Sequence, residues 1–173
     1  MGFSAAVKTC FSQYVTFSGR ARRPEYWWFV LFIVLGSVAA NLIDGFLFGV
    51  GTLEEPATQA VSPIFSLATF LPLLAVGWRR MHDTGRPGWY LLIPLLVSCA
   101  MLLAFALGVV GFSQLEMAGT GEETLRTAGG GIGIAGVAVL GIAQLVLTLL
   151  IIWWLTRPTQ AGANQYGDEP SSE

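Results

Sequence analysis

Charge is the scarcest ingredient of this sequence. Only 12% of its 173 residues are Asp, Glu, Lys or Arg, where a soluble domain carries about a quarter. That shortage excludes a soluble helical protein, whose outward faces must be polar. Histidine is scarcer still, with His82 alone in the chain, so neither a histidine-rich metal site nor a Ser–His–acid arrangement can be assembled. The two cysteines, Cys10 and Cys99, lie far apart and give no disulfide framework or metal-ligand cluster. No metal or cofactor is expected.

Apolar residues fill the space that charge leaves, at 54% of the chain. They gather in four stretches: Trp27 to Phe48, Val61 to Trp78, Trp89 to Val110 and Gly130 to Leu155. Crossing the roughly 30 Å hydrocarbon core takes about 20 such residues in a helix. Across all four, Asp44 is the single charge. The fold class expected is therefore all-α, an integral membrane bundle of four transmembrane helices. A cleaved signal peptide at Arg20 to Ala40 fits less well, because apolar residues continue to Phe48. Pro63 can open the second helix, whereas Pro72 falls inside it and should kink it.

The basic residues orient the bundle. Lys8, Arg20, Arg22, Arg23, Arg79, Arg80, Arg86 and Arg157 lie on one side of the spans and Arg126 on the other. Short loops rich in Lys and Arg stay in the cytoplasm, so both termini are expected inside. Glu54, Glu55, Glu116, Glu122 and Glu123 then face outward. Aromatic residues at the inner helix ends, Tyr26 to Trp28, Trp78, Trp89, Tyr90, Trp153 and Trp154, agree with that boundary.

Ahead of the first span, Phe3, Ala6, Val7, Cys10, Phe11, Tyr14 and Val15 recur at steps of three and four. This predicts an amphipathic helix, lying in the membrane interface or capping the bundle. Residues 1–157 read as one membrane domain, and the polar tail 158–173, rich in Gly and Pro, is expected to be disordered.

Two motifs lose their usual meaning in this setting. Gly131 to Gly136 has dinucleotide-fingerprint spacing, but an apolar span follows and no strand precedes it. Its small residues, like Gly36 and Ala40 of the first span, suit close helix packing. Asp83-Thr84-Gly85 copies the aspartic-protease tripeptide once, where two carboxylates are required. A turn capped by Asp83, with Gly85 supplying positive φ, accounts for it.

Two features remain as candidate sites. Asp44 is costly inside a span and marks either a structural hydrogen bond or a functional acid of a small transporter or channel subunit. Arg20, Arg22, Arg23, Glu25, Arg79, Arg80, His82, Asp83, Arg86 and Trp89 form a mixed-charge cluster exceeding what topology needs. Such a surface suits internal pairing, or binding of anionic lipid or a partner protein. Homo-oligomers are compatible with the small-residue faces, and nothing points to nucleic acid. An enzyme is not expected, because no nucleophile and base can be paired.

Phe17 to Trp27, Ile43-Asp44-Gly45, Arg79 to Trp89 and Asn164-Gln165-Tyr166-Gly167 together resemble the YhaH-like inner-membrane proteins of bacteria. Met81 stands where that family usually has Leu, Pro87 where it often has Ser, and the loop Gly111 to Gly129 is longer than its usual loop. The resemblance implies a bacterial inner-membrane location and brings no activity, cofactor or substrate.

Overall fold

A computed structural model describes residues 1–49, 51, 58–117 and 123–170, with side chains described at all of these except 107–117, 123–135 and 137. Among the described residues the order is α1 (Phe3–Ser12), α2 (Arg23–Phe48), α3 (Val61–Asp83), a short 3-10 turn (Gly88–Leu91), α4 (Leu92–Met117) and α5 (Glu123–Thr156). Four of these described helices hold windows long and apolar enough to cross a membrane: Arg23–Phe48, Val61–Asp83, Gly88–Ala106 and Ala138–Thr156. The chain is thus an all-α protein with four candidate spans. Glu54, Glu55 and Glu122 lie outside the described residues, as do the side chains of Glu116, Glu123 and Arg126.

The chain is described as two compact units, Met1–Gly88 with Trp154–Glu173, and Trp89–Trp153. In the first unit, α2 opens on an extended Arg22, with Pro24 in its first turn, and closes on Gly49 at φ +80°. Proline suits a first turn whose N–H groups are unpaired anyway, and glycine suits the left-handed exit. Gly36 lies under the Phe65 ring, leaving no room for a Cβ, so α2 and α3 approach closely there.

Phe3–Ser12 form the helix α1, which packs on α2 and α3. Ala6 and Cys10 are fully buried, Phe11 meets Phe29 and Phe32 edge-on, and Phe3 meets Trp28. Cys10, Ala21, Phe29 and Val76 form the core of this unit. Just past α1, the Tyr14 hydroxyl donates to the Ala68 carbonyl at 2.7 Å. This is the acceptor that Pro72, lacking an N–H, leaves unpaired four residues earlier in α3. The carbonyl freed by Pro72 therefore has a specific partner in the N-terminal segment.

Three boundaries differ from the sequence expectation. The helix that holds the second span continues past Trp78 through Asp83, because Arg79, Arg80 and Asp83 are paired inside the fold rather than held out in a loop. The loop expected over Gly111 to Gly129 is mostly helical, with α4 reaching Met117 and α5 starting at Glu123. Gly131 to Gly136 accordingly falls within α5 and not between a strand and a helix. The tail expected to be disordered is instead hydrogen-bonded as far as Pro170. Asn164 and Gly167 pair through their backbones, the Gly162 N–H reaches Glu169 Oε2 at 2.7 Å, and Gly162 and Gly167 supply positive φ. Its order comes from main-chain carbonyls that arginine side chains engage, an attraction that composition does not record.

In the second unit a polar contact joins two apolar helices. Gln144 Nε2 of α5 donates to the Pro94 carbonyl and to Ser98 Oγ of α4, each at 3.0 Å. Side-chain amides commonly link helices this way where water is absent.

Tyr14→Phe should lower stability by about 1 kcal/mol, seen as a lower thermal midpoint in mild detergent. With Pro72→Ala, which restores an N–H for Ala68, the same change should cost less. Burial also pushes the Cys10 thiol up to about 12, with the nearby Glu25 charge adding to the shift, from an ordinary value of 9.0. The folded state then holds this proton while the unfolded chain releases it, so stability should fall as pH rises from 9.0 toward about 12. Unfolding titrations of Cys10→Ala should lack that slope.

Candidate functional site

The cluster is built where the segment before α2 crosses the last turns of α3. Gly19, at φ +85°, turns the chain, and the Ala21 N–H then bonds the Arg79 carbonyl at 3.1 Å. This pins Arg20 over Asp83. The Asp83 carboxylate, 0% exposed, bridges two guanidinium groups. Arg20 Nε donates to its Oδ1 at 3.1 Å, and Arg80 Nη1, one turn earlier on α3, donates to its Oδ2. Asp83 is thus not the turn cap expected of it. Gly85 does supply the positive φ, at +73°.

The remaining donors of these arginines read the C-terminal segment. Arg20 Nη1 donates to the Gly162 carbonyl at 2.6 Å and to that of Gly167 at 3.4 Å, while Nη2 reaches the Gln160 carbonyl. Arg80 Nε donates to the Leu155 carbonyl at 3.1 Å, and Nη2 to that of Arg157. Arg22 holds the Pro170 carbonyl through Nε at 2.9 Å and through Nη2. In return the Gln160 N–H donates to the Asp83 carbonyl at 3.1 Å.

His82 is placed by three contacts. Its Nδ1 lies 3.1 Å from the Gly19 carbonyl, its own carbonyl accepts from Asn164 Nδ2 at 3.0 Å, and its ring stacks on Tyr166 with centroids 3.8 Å apart. A carbonyl can only accept, so Nδ1 carries the proton. Arg86 lies 5.0 Å over the Trp154 ring, within cation–π range.

A second buried pair lies beside the first. Arg79 Nη1 is 2.9 Å from Glu25 Oε1 and also donates to Gln13 Oε1. Among the described residues, Arg79 Nε and Nη2 are buried without a hydrogen-bond partner. Arg20, Arg79 and Arg80 thus face two buried carboxylates, Glu25 and Asp83. Main-chain carbonyls balance the excess positive charge. Those of Leu155 and Arg157 belong to the C-terminus of α5, where orphan acceptors and the helix dipole favour a cation.

The cluster therefore gathers Arg20, Arg22, Glu25, Arg79, Arg80, His82, Asp83 and Arg86 at one end of the first unit. Arg23 starts α2 exposed, and Trp89 belongs to the second unit. Asp44 sits at the other end of α2, 3% exposed. Its Oδ1 accepts from the N–H groups of Ala60 and Val61 at 3.0 and 2.8 Å, and its Oδ2 from the Ser62 N–H at 2.8 Å and from Ser62 Oγ. These donors start α3, so Asp44 caps α3 from a neighbouring helix.

Residues that the sequence reading gave no role include Gln13, Gln160, Asn164 and Tyr166. For Asn164 and Tyr166 the signal available was Asn164-Gln165-Tyr166-Gly167, a motif within a polar tail; Gln13 and Gln160 carried none. Among the described residues no three of His, Cys, Asp and Glu are close enough to hold a metal ion. Chemically, the arrangement of buried arginines captures carbonyls and two carboxylates, and it leaves exposed basic groups at its margin.

Residues 14–168 match the family described as "Protein of unknown function (DUF805)". The chain is similar to "Inner membrane protein YhaI" of Escherichia coli (strain K12), 44% identical over 95 residues, which are 53% of this chain and 75% of that one. It is also similar to "Inner membrane protein YhaH" of the same organism, 39% identical over 83 residues, or 48% of this chain and 66% of that one. No solved structure matches the chain.

Asp83→Ala strands two buried guanidinium groups, a change that should cost about 3–5 kcal/mol. Limited proteolysis of the folded variant with chymotrypsin should cut after Tyr166, which stacks on His82 in the parent, much faster than in the parent. An unchanged cleavage rate would mean that Asp83 does not hold the C-terminal segment.

Proposed function

We propose, from the premise that this chain belongs to the DUF805 family, that it is a non-enzymatic module of a bacterial inner membrane. Its basic face binds anionic lipid or a partner protein. The printed names of the relatives support the location. The one-sided distribution of Lys and Arg supports threading with both termini in the cytoplasm. In that orientation the outer face of α1 lies in the inner interface, with Phe3 and Phe11 toward the acyl region.

The observation that carries the binding role is the division of labour among the basic residues. Arg20, Arg79 and Arg80 are buried and spent on Asp83, Glu25 and main-chain carbonyls. Lys8 and Arg23 are exposed, on elements that also expose Phe3, Trp27 and Trp28 to 38 or 39%. Positive charge beside exposed aromatic rings suits a surface that meets anionic headgroups, each basic group contributing about 1 kcal/mol. The buried arginines serve as the frame of that surface. Both oxygens of Asp44 are occupied by the start of α3, which favours a structural role for it over transport.

Native mass spectrometry of protein gently extracted from its own membrane tests this reading. Anionic lipid or a partner should be retained by the parent and reduced in a Lys8→Gln/Arg23→Gln double variant whose thermal midpoint is unchanged. Equal retention by both proteins would refute the reading.

A further inference from the structure

Resting on the reading of this face as a lipid- or partner-binding surface, we infer that the first two turns of α2 form a site for one anionic phospholipid, with its phosphate on the Arg23 guanidinium and an acyl chain along Trp28 and Leu31. Arg20, Arg22, Arg79, Arg80 and Arg86 each have a hydrogen-bond partner within the fold. Arg23 is exposed and has none among the described residues. Its five donors are therefore available to an outside acceptor, and a guanidinium fork matches phosphate oxygens.

The surface around it is shaped for a lipid. Arg23, Pro24, Trp27, Trp28 and Leu31 line an open groove of about 470 Å³. These positions follow one stripe of α2, and the stripe continues through Leu35, Val38 and Leu42, which are 56%, 54% and 70% exposed. Read along the helix, it passes from cation to indole to aliphatic side chain. That order matches phosphate, glycerol backbone and acyl chain on going into a membrane. From Arg23 to Leu31 the helix rises about 12 Å, so the charge and the aliphatic floor lie at different depths.

Charge selects the occupant. Glu25, the acid nearest in sequence, is turned inward onto Arg79 and is 6% exposed. No carboxylate lines the groove. An anionic headgroup therefore meets an unopposed cation, whereas a soluble peptide would have to reach a stripe that continues down a membrane-spanning helix.

The test uses the full chain in mixed micelles, titrated with phosphatidylglycerol or phosphatidylcholine and read by native mass spectrometry. A phosphatidylglycerol carrying a photoreactive acyl chain then maps contacts by peptide sequencing. Phosphatidylglycerol should bind in preference to phosphatidylcholine, Arg23→Gln should weaken it about fivefold, and Arg23→Lys should restore most of the loss. Cross-links should fall on residues 27–35. Lys8→Gln, at unchanged thermal midpoint, separates this site from the general reading. Loss on Lys8→Gln but not on Arg23→Gln would overturn the Arg23 site and leave a lipid-binding face. No loss in either variant would overturn both for lipid, and cross-links confined to other helices would overturn the site alone.

Discussion

One buried carboxylate, that of Asp83, decides how three distant parts of the chain meet. Two arginines converge on it, one from the segment before α2 and one from α3 itself. Because the site is closed to solvent, each guanidinium needs all of its donors matched, and a single carboxylate supplies too few acceptors. The carbonyls of residues 155–170 make up the difference. An imbalance between buried positive and negative side chains is therefore what recruits the end of the chain into the fold. A hydrophobic substitute could fill the same volume, but it would have no reason to hold a polar strap in place.

The same accounting governs the rest of the first unit. At three places where an α-helix leaves a backbone group unpaired, a side chain from another element answers it. The N–H groups that begin α3 find Asp44, the carbonyl freed by Pro72 finds Tyr14, and the carbonyls that end α5 find Arg80. In hydrocarbon an unmatched backbone group costs several kcal/mol, so these few polar side chains do much to fix how the helices meet. The residues that look misplaced in an apolar sequence are the ones that complete the backbone.

Much of the architecture was legible in the residues. The number and order of the long helices followed from the apolar runs, Gly36 marked a close approach, and Gly85 marked a left-handed turn. The cluster's membership was legible too, since Arg20, Glu25, Arg79, Arg80 and Asp83 were grouped on charge alone. What stayed hidden was which arginines face inward, because a guanidinium satisfied by carbonyls looks the same in sequence as one facing water. Carbonyl acceptors are common to all residues, so a tail of Gly, Asn and Gln gave no sign that it was wanted. Asp44 read as ambiguous for a related reason. The N–H groups it serves belong to the start of another helix, and no side chain there announces the need.

The strap also sets an order of events. Synthesis delivers Arg20 first, Asp83 some sixty residues later, and residues 155–170 about seventy residues after that. Until that stretch leaves the ribosome, Arg20 and Arg80 share a carboxylate with several donors unmet. The earlier helices can insert and pair in that interval, but the end where α2 begins and α3 stops stays hydrated and loose. Arrival of residues 155–170, rather than insertion of the spans, is what seals this unit.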